Sequence, residues 1–151
     1  MPSLDSDVRW LRDREQIREL PQRYAYGIDT RDWTLVRSVF HDGCRVEGTA
    51  VQDTIDPYLE VLRPLVERYP ATFHFMGNQY VEVDGDTGRV ETYAVAYHME
   101  DPGSGREDLV MAVRYVDAVR REASAWKISG RRVIQQWRRG PLPGESARGR
   151  A

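Results

Sequence analysis

Tyr24-Ala25-Tyr26-Gly27-Ile28-Asp29-Thr30-Arg31-Asp32-Trp33 is where one helical pattern stops and the next begins, and the fold is read outward from it. Upstream, Leu11, Ile17, Leu20, Tyr24 and Ile28 recur at three- and four-residue spacing, which predicts an amphipathic helix to about residue 28 capped by Asp5 or Ser6. Pro21 lacks a backbone donor, so a kink, or a helix start shortly before it, is expected there. Gly27 loosens the helix end. Thr30 or Asp32 then caps a short helix from Trp33 to Val39 with Trp33, Val36 and Phe40 on its apolar side. Asp29 is thereby held between two helices rather than left on a free loop. Tyr24 and Tyr26 point about 200° apart on a helix, so only one of them can face the interior well.

Downstream, His41-Asp42-Gly43 reads as a polar turn and Cys44 to Thr49 as a short strand. Thr54 or Asp56 caps a third helix with Ile55, Tyr58, Leu59, Leu62, Leu65 and Val66 along its inner stripe; Pro57 suits its first turn, and Pro64 bends or shortens it. The rest predicts strands: Thr72–Val83, a turn at residues 84–88, Arg89–Met99, a loop at residues 101–106, then a second hairpin, Asp108–Arg120 with Ala125–Trp137. On the first long strand Thr72, His74, Met76, Asn78 and Tyr80 alternate onto one face. Three helices ahead of a meander give an α+β class, in which a strongly curved, mostly antiparallel sheet wraps the helices as a cone with an internal pocket. The domain is expected over residues 1–139, with 140–151 a flexible Pro/Gly/Ser-rich tail.

At 151 residues the chain has the size of one domain. Lys and Arg (22) nearly balance Asp and Glu (24), and basic residues and aromatics are not interleaved, so nucleic acid is not an expected partner. No apolar run approaches membrane-spanning length, and residues 1–7 show neither a basic start nor an apolar run, so no membrane association and a cytoplasmic location are expected. The single cysteine, Cys44, is expected as a buried hydrophobe. Three scattered histidines show no ligand spacing and there is no phosphate-binding or dinucleotide fingerprint, so neither a metal nor a cofactor is expected.

Several stretches together are similar to the SnoaL-like family of the nuclear-transport-factor-2-like superfamily. They are Arg14 to Leu20, Tyr24 to Asp29 with Asp32-Trp33, Val39-Phe40, Thr72-Phe73-His74 with Gly77-Asn78, Val81 to Asp86, and Trp126 to Val133. The match spans roughly residues 8–138 and looks closest to dehydratase- and dehydrochlorinase-type members such as scytalone dehydratase and bile-acid 7α-dehydratase. The resemblance implies that Asp29 and His74 occupy the positions of the family's Asp and His, and that Arg131, five residues past Trp126, completes the site. Tyr24 stands where dehydrochlorinases carry a lysine, which leans toward the Tyr/Asp/His set of the dehydratases. Pro21 departs from the family pattern.

A histidine near neutral pH is the strongest general base a side chain offers, and a carboxylate on its far nitrogen fixes the tautomer and stabilises the imidazolium. His74 would take a proton and Asp29 hold the ring. Tyr24, Tyr26 or Arg131 would meet the charge on a departing or enolising oxygen. The bland alternatives are a helix-capping Asp29 and a core His74 bonded to a backbone carbonyl. Arg131 and Arg132 alternate on a strand, so one points outward. Met76, Asn78, Trp33 and Tyr58 are the candidate substrate contacts, and His98, near a strand end, is expected to be exposed. The function expected is a cofactor-independent lyase or isomerase acting on a small hydrophobic polycyclic, steroid-like or polyketide-like molecule; the alternative is a non-catalytic binding or assembly domain of the same fold. Tyr93, Val95, Tyr97, Val113 and Tyr115 are candidates for an apolar outer sheet face through which a homodimer or homotrimer would form.

Overall fold

The computed structural model describes residues 3–145. Helix α1 (Leu4–Thr30) is capped by Ser3, whose side chain accepts from the Ser6 amide, and it runs without interruption through Pro21. Helix α2 (Trp33–Ser38) follows at once, capped by Asp32 through the Leu35 amide. Gly27 makes this close succession possible, since a Cβ there would lie 2.7 Å from Val36 Cγ2. Strand β1 (Phe40–Glu47), the short β2 (Gln52–Thr54) and helix α3 (Ile55–Glu67) lead into four long strands: β3 (Ala71–Asp84), β4 (Thr87–Met99), β5 (Leu109–Glu122) and β6 (Ala125–Arg139). The sheet order is β2-β1-β6-β5-β4-β3, antiparallel except for β1 beside β6. The result is a three-helix, six-stranded α+β cone that is not closed. None of the described helices is long and apolar enough to cross a membrane.

The core lies between α1 and the sheet's inner face: Ile17, Leu20, Tyr24 and Ile28 from the helix meet Val81, Val90, Val113, Tyr115, Val119, Trp126 and Ile128 from the strands. Cys44 is buried there, and burial pushes its thiol up to about 11.

Several elements differ from the sequence reading. Strand β1 begins at Phe40 rather than Cys44, because Phe40 pairs with Ile128 and the Ile128 amide donates to Val39 O; His41 is therefore buried in a strand and not on a polar turn. Two residues of β3, Gly77 and Asn78, oppose Tyr93 alone, a β-bulge that resets the alternation. Thr72, His74 and Met76 face inward, but beyond the bulge the inward positions are Gln79 and Val81, so Asn78 and Tyr80 are exposed on the outer face. Val113 and Tyr115 are buried inside, not on the outer face with Tyr93, Val95 and Tyr97: Tyr93 pairs with Arg114, so odd positions of β4 share a face with even positions of β5. The segment 141–145 forms a turn whose Leu142 packs on the core, while 146–151 lie outside the described residues.

Candidate active site

Asp29 is the penultimate residue of α1, and His74 and Thr72 alternate inward on β3 beside it. One carboxylate oxygen of Asp29 (Oδ1) lies 2.7 Å from His74 Nδ1 and accepts from the Thr72 hydroxyl at 3.0 Å; the other (Oδ2) accepts from the His74 backbone amide at 2.7 Å. The same residue is thus clamped at its ring and its backbone. Burial pushes the Asp29 carboxyl up, but the bonds from the His74 ring and amide, its charge, and Thr72 outweigh this and hold it below the usual carboxylate range. An ionised carboxylate only accepts, so Nδ1 carries the shared proton, and in the neutral form of the ring the lone pair is then on Nε2. Nε2 makes no hydrogen bond among the described residues, and the His74 side chain is 6 % exposed.

His98, expected at an exposed strand end, lies inside instead. It pairs across the sheet with Thr72, its ring is 6.0 Å from that of His74 and 5.1 Å from Tyr69, and Nδ1 is 3.3 Å from Leu109 O. Burial first and the neighbouring His74 second push its imidazole down to about 4, so it is neutral at physiological pH. The signal was present in β4, where Val90, Thr92, Ala94, Ala96 and His98 share parity and the first four are buried.

A second polar group stands deeper in the core. Arg131 donates through Nε and Nη2 to the two carboxylate oxygens of Asp117 at 2.7 and 2.8 Å, with side chains 1 % and 0 % exposed. Its guanidinium lies 4.2 Å from the ring centre of Tyr24, 4.6 Å from Tyr115 and 5.1 Å from Phe40, a cage of three aromatic faces. Arg131 is the inward member of the Arg131/Arg132 pair, and the bulge at Ser129 sets that phase. Tyr24 packs edge-on against Phe40 and Tyr115; burial raises its phenol, against an opposing pull from Arg131. Tyr58 on α3 is part of the same buried group, its phenol raised by burial and by Tyr24. The hydroxyls of Tyr58 and Tyr115 make no hydrogen bond among the described residues.

Of the other candidates, Met76 packs against the core from the inner face. Trp33 is partly buried and donates to Glu67 on α3. Asn78 is exposed, and Tyr26, 64 % exposed, points away from Tyr24 into solvent. Asp117 and Tyr115, which complete the surroundings of Arg131, were not anticipated as site residues. Among the described residues no group of His, Cys, Asp and Glu is arranged to hold a metal ion.

The fold is thus an α+β cone that carries a carboxylate–imidazole pair and a caged arginine on its inner face. Residues 9–132 match the SnoaL-like domain, and the chain belongs to that family. No curated protein matches by sequence. Among solved structures, hexachlorocyclohexane dehydrochlorinase (LinA) type 2 superimposes with a TM-score of 0.79 at 18 % identity, over 95 % of this chain and 98 % of that one. A scytalone-dehydratase-like protein from Novosphingobium aromaticivorans gives 0.75 at 20 % identity, over 97 % and 100 %. The Kfla4162 protein from Kribbella flavida gives 0.76 at 23 % identity, over 84 % and 93 %. These likenesses establish a shared fold.

Proposed function

We propose that this chain is a cofactor-independent lyase or isomerase of the dehydratase type, acting on a small hydrophobic polycyclic, steroid-like or polyketide-like molecule held against the inner face of the cone. One observation carries the reading: His74 is bonded through Nδ1 to an ionised Asp29, while Nε2 is left without a protein partner. The dehydrochlorinase and dehydratase neighbours support chemistry of this kind.

In the proposed elimination, His74 Nε2 removes a proton from the carbon next to a carbonyl, and the electron pair passes into an enolate. Asp29 stabilises the imidazolium. The enolate oxygen takes a hydrogen bond from Tyr24 or Tyr58. As the enolate reforms the carbonyl, the β-hydroxyl leaves with the proton returned by the imidazolium, so water and a conjugated enone are the products. An isomerase would return that proton to a different carbon. Tyr26, on the solvent side of α1, has no part in this scheme. Arg131, committed to Asp117, acts by holding Tyr24 and by its field. The exposed residues Phe73, Phe75, Tyr93, Tyr97, Met99 and Trp137 form one half of the outer sheet face, and a homodimer or homotrimer through that face belongs to the same proposal.

The test is a screen of polycyclic β-hydroxy ketones, followed by absorbance of the conjugated product and by the ring NMR signals of His74. Turnover of at least one compound, reduced roughly 10²–10⁴-fold in His74→Gln and Asp29→Asn, is the expected result. No turnover, together with His74 signals that no compound moves, would leave a binding or assembly domain.

A further inference from the structure

Helix α1 ends at Arg31, whose backbone has φ 61° and ψ 25°. This left-handed conformation suits glycine and is uncommon for a long side chain. It turns the guanidinium back beneath the helix end. Nη1 donates to Ile28 O and to the Thr72 hydroxyl oxygen, both at 2.7 Å, and Nη2 donates to Tyr69 O at 3.2 Å and Val66 O at 3.5 Å. An arginine only donates. The Thr72 oxygen therefore acts as acceptor toward Arg31 and sends its own proton to Asp29 Oδ1, 3.0 Å away. That oxygen also receives the His74 Nδ1 proton at 2.7 Å. The order Arg31 to Thr72 to Asp29 follows from the chemistry of the donor at its head, and both donors converge on one carboxylate oxygen.

We propose that Arg31 and Thr72 are positioning residues that act through Asp29: by placing a second, oriented donor on Oδ1, they moderate the pull of the carboxylate on the His74 proton. A carboxylate oxygen shared between two donors is a weaker acceptor toward each. Unsupported, Asp29 would draw the proton more strongly toward itself and alter the basicity delivered at Nε2. Arg31 is the more informative member. It bonds the last turn of α1, one carbonyl in the last turn of α3 and one just beyond that helix, and the first inward residue of β3, so the register between the elements carrying Asp29 and His74 is coupled to the tuning of the pair. The catalytic meaning of this chain rests on the reading of Asp29 and His74 as a working base, whereas the hydrogen-bond order has a signature of its own.

The experiment is proton NMR of the full chain at neutral pH with ¹⁵N-labelled histidine. It observes the downfield Nδ1–H resonance of His74, assigned by its loss in His74→Gln. In Thr72→Val the resonance moves further downfield by several linewidths. Thr72→Ser, which restores the hydroxyl, returns it to the wild-type position. Arg31→Gln, which frees the Thr72 hydroxyl to turn away, moves it in the same direction by a smaller amount. An unmoved or upfield-shifted resonance in folded Thr72→Val or Arg31→Gln would overturn the proposal and leave Arg31 as a tie between elements. If Thr72→Val does not fold, Arg31→Gln against Thr72→Ser decides the question alone. A failed substrate screen would remove the lyase reading without moving this resonance, so the two failures are separable.

Discussion

Replacing Arg131 by methionine, or Asp117 by asparagine, breaks an ion pair in which both charged groups are removed from water. Removing one partner of such a pair costs about 3–5 kcal/mol, because the other charge is left uncompensated. For a domain of this size roughly 2–4 °C accompanies each kcal/mol, so the melting temperature should fall by about 6–20 °C. The two variants are not equivalent. Without Asp117, the guanidinium still lies against the faces of Tyr24, Tyr115 and Phe40, and asparagine keeps an acceptor for it. Without Arg131, the Asp117 carboxylate keeps no hydrogen-bond partner among the described residues, and the rings lose the cation that holds them together. Arg131→Met should therefore be the more damaging. A double variant, Arg131→Met with Asp117→Leu, removes both charges and keeps most of the volume, and should lie within about 1–2 kcal/mol of wild type. Urea and thermal unfolding of wild type, Arg131→Met, Asp117→Leu and the double variant form a double-mutant cycle. Single variants that cost less than about 1 kcal/mol, or a double variant as destabilised as the sum of the singles, would refute this account of the cone's interior. If the stable double variant also keeps its ligand response, Arg131 stands apart from the chemistry.

His98 is held neutral in the folded state down to about 4, below its ordinary 6.5. The unfolded chain therefore binds the extra proton first, and stability falls as pH drops from about 6.5 to about 4; in His98→Gln that part of the pH-dependent unfolding curve should flatten. The Asp29 carboxyl is displaced downward on folding, so its contribution is present above the ordinary carboxylate pKa and is lost as pH falls below about 4, a loss that Asp29→Asn should abolish in acid titrations followed by circular dichroism. Tyr26→Phe should leave melting temperature and ligand-induced shifts of His74 unchanged, since its ring is exposed, whereas Tyr24→Phe should alter the ligand response; an effect of Tyr26→Phe equal to that of Tyr24→Phe would count against the proposed scheme. Phe75→Glu combined with Trp137→Glu should shift sedimentation toward the monomer if the outer face is an interface, and unchanged sedimentation would dismiss it.

The helices and long strands were legible because their signals are local: a capping residue, a 3.6-residue stripe, a Gly/Asp turn. Asp29 beside His74 was legible through family resemblance and one shared strand face. What escaped depends on partners far along the chain. Parity on β3 fails at residue 78 because the bulge is defined by β4, not by β3's own composition. Val113 and Tyr115 were placed on the wrong side because a register that pairs Tyr93 with Arg114 cannot be read from either strand alone. His41 looked like a turn residue until β1 was seen to pair with β6. Arg31 gave no signal, since its importance lies in a backbone conformation its residue type disfavours.

The parallel pairing of β1 with β6 has a consequence for the chain during synthesis. Phe40 must wait for Ile128, 88 residues later, before its strand gains a neighbour on that side. At roughly 5–20 residues per second the delay is about 4–18 s, during which the nascent edge of β1 is open. The brief strand β2 covers its opposite edge from the start, being only a few residues downstream. Until the final strand emerges, the apolar face of α1 also lacks Trp126 and Ile128. A ribosome-bound chain ending near residue 122 should therefore be protease-sensitive throughout its first third, and one extended past residue 139 should become resistant as a unit.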